Sequence, residues 1–318
     1  MSDKIKNVLL AGATGRLGQF ILRSLLGEES LTVHVLTRMK SSSPGSVTHS
    51  IVSIQENSEL ESPSIPSTVP IHQTDYTRSS VSGIIHSNDI HAIVCALAPE
   101  PEAIKRQLDL IDASRQCSSV KLFVPSEFGF DTYNEKARGM VAGLVEPKWE
   151  VLGKLREAEK DGRMAWCAPM TGPFFDMATN DGEMGSLPFI GNAIVQIIKE
   201  KSTKPHLLAH QPTDIAEMNS TQNEILARLE EDTGTSWHIE QTTVEAERDK
   251  GLEALKDGKV LDAIQPLSFS VVWDGCGTDF LGRGKTLANE ALGLPVPDLE
   301  NGMSAANAWD RTCIIHLA

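Results

Sequence analysis

The sequence predicts an α/β fold with a doubly wound parallel sheet, and three observations support that prediction. Short apolar segments alternate with amphipathic segments of helical spacing over the first half of the chain. A glycine-rich turn joins the first predicted strand to the first predicted helix. A second strand ends by residue 37, at the length expected of one β-turn-α-β unit. This alternation places successive strands parallel, with helices on both faces of the sheet.

Each element of the first half has a local signal. Apolar runs bounded by polar residues, glycine or proline predict strands, and an apolar face at helical spacing predicts helices. The predicted strands are residues 6–11, 31–37, 69–75, 90–96, 120–124 and 164–169, and the predicted helices are residues 19–26, 101–116 and 147–160. Residues 41–69 are rich in serine and proline, which predicts a surface excursion with one weak helix near 47–55.

The glycine-rich turn is Gly12-Ala-Thr-Gly15-Arg-Leu-Gly18, with the spacing G-x-x-G-x-x-G. Gly12 permits a tight turn, Gly15 lets the backbone approach a pyrophosphate, and Gly18 lets the helix pack closely on the sheet. The amides and partial positive charge of the helix N-terminus suit the same phosphates. The motif predicts a dinucleotide site, and a glycine turn without a ligand is the alternative. The residues expected to contact the cofactor here are Gly12, Thr14, Gly15, Arg16, Leu17 and Gly18.

The end of the second strand distinguishes between the two nicotinamide cofactors. NAD sites usually place an acid there for the ribose hydroxyl, whereas this chain has Arg38 and Lys40 and no acid in residues 36–41. A guanidinium can pair bidentately with the 2′-phosphate of NADPH. Both cations are therefore expected to bind NADPH, and the alternative is that Arg38 is an exposed arginine on a loop.

The second half of the chain has a more mixed pattern. Thr221 and Glu224 have the spacing of a capping box, which predicts the start of a helix. Helices are predicted at residues 192–199, 221–233, 244–257 and 286–292. The change in pattern divides the chain into a Rossmann-type NADP-binding domain, residues 1–170, and a smaller substrate-binding subdomain, residues 171–318.

Composition narrows the classes of function. The chain has 318 residues and a net charge of −14, which argues against a nucleic-acid surface. No apolar run approaches the roughly 20 residues that cross a bilayer, and the first six residues do not resemble a signal peptide. The five cysteines are scattered, which is typical of reduced thiols in a cytoplasmic protein. The nine histidines lack metal-binding spacing, so no metal is expected.

The tyrosine–lysine pair of standard short-chain dehydrogenases is absent from this sequence. Those enzymes use Tyr-x-x-x-Lys, whereas here Tyr76 is followed four residues later by Ser80, and Tyr133 by Ala137. The protein therefore needs another acid or base, or it does no chemistry. Ser126 lies outside a Gly-x-Ser-x-Gly elbow, which argues against a hydrolase.

Six motifs of the sequence are informative together: the glycine triplet, Thr37-Arg38, Val124-Pro-Ser-Glu-Phe-Gly129, the segment 148–155, Thr171-Gly-Pro-Phe-Phe-Asp176 and the segment 280–294. In this combination they resemble the isoflavone-reductase-like group, within the NmrA-like branch of atypical short-chain dehydrogenases. The resemblance covers roughly residues 5 to 296, and Pro-Ser-Glu-Phe-Gly is its most diagnostic piece. The segments 171–176 and 280–294 look like fungal members of the group.

The resemblance implies an NADPH-dependent reductase of small aromatic or polyketide-like secondary metabolites. The family lysine matches Lys148, which would act as general acid or polarise an oxygen once partial burial and the cofactor lower its pKa. The alternatives are that Lys148 is a solvated helix lysine or that Lys154 takes the role. Ser126 and Phe128 are expected to shape the nicotinamide pocket. Glu127 is expected to be a structural hydrogen-bond acceptor.

Two other kinds of protein remain open at this point, since NmrA-like proteins include non-catalytic NADP-sensing regulators, and a non-redox enzyme could keep the same fold. Relative to the family, the segment 177–191 is short and the chain end 301–318 is long. The shortening would expose apolar surface beside the substrate pocket. A wider cleft is therefore expected next to Lys148, partly closed by C-terminal residues or by a second subunit in a homodimer.

Overall fold

A seven-stranded parallel β-sheet positions the predicted site. A computed structural model describes residues 4–39, 65–162, 164–174, 182–203, 208–300 and 315–317. Its strands are β1 (Asn7–Ala11), β2 (Thr32–Arg38), β3 (Ile71–Thr74), β4 (Ala92–Cys95), β5 (Leu122–Val124), β6 (Ala165–Met170), β7 (Gly182–Met184), β8 (Gln211–Asp214), β9 (Met218–Ser220), β10 (Ile239–Gln241) and β11 (Ile315–Leu317). Within the described residues, seven strands pair in the order β3-β2-β1-β4-β5-β6-β8, all parallel. The predicted fold class is confirmed.

The helices are α1 (Arg16–Leu26), α2 (Arg78–Ser87), α3 (Pro101–Arg115), α4 (Glu135–Met140), α5 (Ala142–Lys160), α6 (Leu187–Thr203), α7 (Gln222–Thr233), α8 (Val244–Lys256) and α9 (Val260–Trp273). Of these, α1 and α6 cover one face of the sheet, and α2, α3 and α5 cover the other. Because strand side chains alternate, Leu10 joins the cluster under α1 and α6, while Leu9 joins the cluster under α2, α3 and α5. The strand β4 is fully buried, as expected for a central parallel strand.

Tertiary packing extends two helices beyond their predicted starts. The helix α5 begins at Ala142 although Pro147 lies inside it, because Leu144 and Val145 bury against α9. The helix α6 begins at Leu187 rather than at residue 192, since its apolar first turn packs on the sheet. Proline and local pattern are weak guides where burial decides the element.

Some elements had no prediction, and one predicted helix is wrong. The unpredicted elements are α2, α4, α9 and the five strands β7 to β11. Residues 286–292, predicted as a helix, form turns instead. The turn is held because the side chain of Asn289 binds the backbone of Ala216 on both N and O and also the O of Pro295. The capping box of Thr221 and Glu224 is confirmed at the start of α7.

Part of the chain after residue 170 still belongs to the sheet and its helical layers. The helix α6 packs against α1, and β8 extends the sheet beyond β6. The domain division at residue 170 stays a prediction, as does the wide cleft, because residues 175–181 and 301–314 lie outside the described residues. Lys40 and the predicted weak helix at 47–55 also lie outside them. Among the described helices, none has the length and apolar character needed to span a membrane.

Candidate functional site

The candidate site lies at the carboxyl edge of the sheet, where the strand order reverses between β1 and β4. From β1 the chain order runs outward to β2 and β3 on one side and to β4, β5 and β6 on the other. Such a switch point leaves a crevice between the loops that follow the two central strands, and ligands of open α/β sheets bind there. The loops after β1 and β4 touch: the amide of Ala96 donates to the carbonyl of Ala11 at 2.8 Å.

Two of the three glycines are required by the fold itself. Gly12 has a φ of +91°, and a Cβ there would lie 2.2 Å from the carbonyl oxygen of Ala96. A Cβ on Gly18 would lie 1.9 Å from the carbonyl oxygen of Gly12. Any side chain at either position would force the loop away from β4 or push the start of α1 away from β1.

Gly15 is less tightly constrained than the other two glycines. Its φ is −75°, an ordinary value, and a Cβ there would lie 3.2 Å from the nearest atom, the carbonyl oxygen of Gly12. It occupies the N-cap of α1, which has no side-chain cap and no acidic residue in its first turn. A helix N-terminus presents amides that lack partners inside the helix. The loop is therefore built to accept an anionic group close to its backbone.

The other residues of this loop that were predicted to contact the cofactor differ in solvent exposure. Thr14 and Arg16 are exposed at the mouth of the crevice, whereas the side chain of Leu17 is buried in the core cluster under α1. Leu17 can therefore reach a ligand only through its amide. The cradle fits a dinucleotide pyrophosphate held by backbone donors.

Arg38 is the last residue of β2 and is exposed. It lies near Tyr76, which follows β3: burial raises the pKa of Tyr76 to about 12, and the charges of Arg106 and Arg38 oppose that rise. The guanidinium of Arg106 lies 5.7 Å from the centre of the Tyr76 ring. The edge of the sheet beside the glycine loop is thus cationic, which suits the 2′-phosphate of NADPH.

The Pro-Ser-Glu-Phe-Gly segment ties together the ends of three strands. The hydroxyl of Ser126 donates to the carbonyl of Leu97, after β4, at 2.7 Å. The amide of Phe128 donates to the carbonyl of Pro169, in β6, at 3.0 Å. Phe128 has a φ of +33°, uncommon for a bulky residue, and its side chain is buried in the core. Ser126 and Phe128 therefore shape the loop after β5, where a nicotinamide pocket would lie.

Lys148, on α5, is anchored to that same loop. Its Nζ donates to the carbonyl oxygen of Glu127 at 2.7 Å and to the carboxylate oxygen Oε2 of Glu127 at 3.1 Å. The side chain is 13% exposed. Lys154 points elsewhere on α5, since its Nζ pairs with Asp112 of α3 at 3.1 Å. Of the two lysines, Lys148 is the one held beside the carboxyl edge of the sheet.

The carboxylate of Glu127 is buried and receives three side-chain donors. Thr132 donates to Oε2 at 2.9 Å, Tyr133 donates to Oε1 at 3.1 Å, and Lys148 supplies the third. Burial, and then the negative charge of Glu127, hold the pKa of Tyr133 well above its usual value. Tyr133 therefore does not replace the missing dehydrogenase tyrosine, because its phenol is committed to Glu127 and keeps its proton. Thr132 and Tyr133 had no sequence signal of this role.

A second charged cluster braces the same loop from the other side. The buried carboxylate of Asp131 pairs with Arg283 at 3.2 Å and with Lys285 at 2.7 Å. Lys285 also pairs with Asp214, at the end of β8, at 3.1 Å. Burial raises the pKa of Asp214, and the charge of Lys285 opposes that rise. In the described part of the chain, no group of three or more His, Cys, Asp or Glu side chains is arranged to hold a metal ion.

Comparison with known proteins gives the relationship of the chain. A model of the NmrA-like family matches residues 4–175, more than half of the chain. The chain belongs to the NmrA-like family. A relative of this NmrA-like protein, oxidoreductase aprR of Aspergillus flavus, is 27% identical over 311 residues, covering 92% of this chain and 96% of the relative. The resemblance inferred from the motifs is confirmed at the level of the family.

Solved structures show how widely this fold is shared. The complex of leucoanthocyanidin reductase with NADPH from Vitis vinifera superposes with a TM-score of 0.63 at 18% identity, covering 85% of this chain and 88% of that one. Isoflavone reductase superposes with a TM-score of 0.63 at 16% identity, covering 94% of this chain and 98% of that one. At these identities the similarity establishes the fold of this NmrA-like protein, and its chemistry has to be inferred from the residues of the site.

Proposed function

We propose that this NmrA-like protein is an NADPH-dependent reductase of a small aromatic or polyketide-like metabolite, with Lys148 as the catalytic group. One observation carries the proposal. The ammonium of Lys148 is fixed to the loop after β5, and Ser126 of that loop is bonded to the segment after β4, which packs on Gly12. A cationic donor and a pyrophosphate cradle therefore share one edge of the sheet.

The cofactor part of the proposal rests on the glycine loop and on Arg38. Gly12, Gly15 and Gly18 with the start of α1 would hold the pyrophosphate, and Arg38 would pair with the 2′-phosphate. Lys40, Thr14 and Arg16 would add contacts around the same phosphates. The solved complex of leucoanthocyanidin reductase contains NADPH, and the relative aprR is named an oxidoreductase, which supports the same assignment here.

The chemical role follows from the donors of Lys148. Bound NADPH would supply a hydride, and the substrate atom that accepts it would pass negative charge to a conjugated oxygen. An ammonium has three N–H donors, of which Glu127 occupies two in this structure. The third is available to donate to that oxygen and stabilise the charge as it develops, after which the proton can follow. Ser126 and Phe128 maintain the shape of the loop that presents the lysine.

The test measures NADPH oxidation against a panel containing a leucoanthocyanidin, an isoflavone and aromatic polyketides. Lys148→Ala should keep NADPH affinity and lose about 10²- to 10⁴-fold in kcat, the usual contribution of a general acid. Lys154→Ala is the matched control, because that lysine lies on the same helix and pairs with Asp112. Full activity of Lys148→Ala would disprove the assignment.

The same assay separates the proposal from its two rivals. A non-catalytic NADP sensor would bind NADPH tightly and oxidise it with no compound of the panel, nor with an extract of small metabolites. A non-redox enzyme on this fold would form product while the absorbance of NADPH stayed constant. Either result would replace the reductase assignment.

A further inference from the structure

We propose that Glu127 is a positioning residue that fixes the ammonium of Lys148 and aims its remaining N–H at the substrate. The inference deepens the proposed function and rests on it. A lysine side chain has four rotatable bonds and does not hold a donor in place without help. Here Nζ is bonded at 2.7 Å and 3.1 Å to two oxygens of one residue, a carbonyl and a carboxylate. Two bonds to a single rigid residue leave one direction for the third donor.

Glu127 is itself held in one orientation. Its side chain is 1% exposed, and Thr132 and Tyr133 donate to its two carboxylate oxygens. Oε2 therefore accepts from both Thr132 and Lys148, while Oε1 accepts from Tyr133. A carboxylate with fixed donors on both oxygens cannot rotate without breaking at least one bond, so it transmits a fixed position to the lysine.

Backbone hydrogen bonds at Glu127 and Phe128 fix the position of Glu127 relative to the sheet. Its amide donates to the carbonyl of Pro125 at 2.9 Å, and the next residue, Phe128, donates to Pro169 of β6 at 3.0 Å. The carbonyl of Glu127 that binds Lys148 lies between these two anchors. Lys148 is therefore positioned relative to the ends of β5 and β6 and not only by its own helix.

The first experiment measures the position of Lys148 without any substrate. The full-length protein with NADPH is treated with an acetylating ester, and the labelling of Lys148 and Lys154 is compared by mass spectrometry. In the unaltered chain Lys148 should label slowly, because it is largely buried and doubly bonded. Glu127→Gln should raise the labelling of Lys148 severalfold relative to Lys154, which has its own partner in Asp112. An unchanged ratio would overturn the proposal.

The second experiment measures turnover on a panel substrate. Glu127→Gln should lower kcat about 10- to 100-fold, the scale on which a small misplacement of a catalytic group acts, and leave KM and NADPH affinity unchanged. In the Lys148→Met background the same substitution should cause no further loss. An equal loss in both backgrounds, or a rise in KM with kcat intact, would show that Glu127 does not act through Lys148.

Two milder variants keep the test decisive if Glu127→Gln fails to fold. Thr132→Val and Tyr133→Phe each remove one donor that orients the carboxylate and leave its charge for Lys148. Both should raise the labelling of Lys148 and lower kcat by less than Glu127→Gln. Normal labelling and turnover in both would overturn the positioning role. Full turnover of Lys148→Met would overturn the proposed function instead, whatever the labelling shows.

Discussion

The three glycines of the fingerprint should respond differently to the same added methyl group. In Gly12→Ala and Gly18→Ala the new Cβ would meet backbone oxygen at 2.2 Å and 1.9 Å, so the fold itself should suffer. In Gly15→Ala the nearest atom is 3.2 Å away and φ is −75°, so the fold should tolerate the change. The methyl group would instead occupy the space in which the pyrophosphate approaches the backbone.

The expected free energies follow from these contacts. Gly12→Ala combines a left-handed φ, about 1–2 kcal/mol, with an overlap that a backbone shift relieves at about 1–3 kcal/mol. Gly18→Ala has the overlap alone, which a better helix propensity offsets by less than about 1 kcal/mol. The loss in Gly12→Ala, about 2–5 kcal/mol, is large beside a net stability of about 5–15 kcal/mol, and the loss in Gly18→Ala is smaller. Gly15→Ala should cost about 1 kcal/mol of stability, through a poorer N-cap and a tight contact with Gly12, and should weaken NADPH binding tenfold or more, about 1.4 kcal/mol.

The assay is urea unfolding without cofactor, followed by titration with NADPH. Gly83→Ala provides a matched control, since Gly83 lies in α2 and a Cβ there would meet nothing within 4 Å. That variant should gain about 0.5–1 kcal/mol and bind NADPH normally. The reasoning is refuted if Gly15→Ala unfolds as easily as Gly12→Ala, or if it binds NADPH with unchanged affinity.

Two further predictions concern the cofactor phosphate and pH. Arg38→Ala should cost about 1.5–3 kcal/mol of NADPH affinity and leave NADH affinity unchanged in parallel titrations. Arg248→Ala is the control. If the unaltered protein binds NADH more tightly than NADPH, the assignment is contradicted. His34 and His72 are bonded ring to ring at 3.0 Å, and burial lowers the pKa of each below 6.5. Because the unfolded chain binds protons more readily, their contribution to stability is fully present above pH 6.5 and is lost as the pH falls through the folded pKa values. Doubly protonated rings also lack the acceptor that the bond needs. Urea unfolding at pH 7.5 and pH 5 should show this loss, and His72→Gln should reduce it; an equal loss in the variant would remove the histidines as its cause.

The cofactor half of the molecule could be predicted because backbone geometry dictates its sequence. Gly12 and Gly18 are close approaches of one backbone to another, which only glycine permits, and the buried strands require uninterrupted apolar runs. The contact of Gly18 with Gly12 and the apolar runs act between near neighbours in the chain, whereas the contact of Gly12 with Ala96 acts between the ends of two adjacent strands. The six strands predicted in this half and the three predicted helices, α1, α3 and α5, therefore agree with the structure, whereas α2 and α4 were not predicted.

The elements that the sequence did not predict depend on distant contacts. The strand β8 is a four-residue edge strand containing Pro212, which an edge position tolerates because, among the described strands of the sheet, only β6 pairs with it. The helix α9 contains Pro266 and is stabilised by packing against α8 and α5. Residues 286–292 do not form the predicted helix, because the side chain of Asn289 binds the backbone of Ala216, 73 positions away. A local sequence pattern cannot predict contacts with residues that are so distant in the chain.

The contrast between local constraints and distant contacts also applies to the prediction of Lys148. A motif could place the lysine near the loop after β5, but its partner lies 21 positions away and is fixed by Thr132 and Tyr133. That loop is braced in turn by Asp131, which accepts from the amide of Tyr133 at 3.1 Å and pairs with Arg283, 152 positions away. Arg283 belongs to the segment between α9 and β11, so a contact from the second half of the chain also steadies the loop that presents the lysine. Substitution of Arg283 should therefore lower turnover through Asp131 and Tyr133 and leave NADPH affinity unchanged.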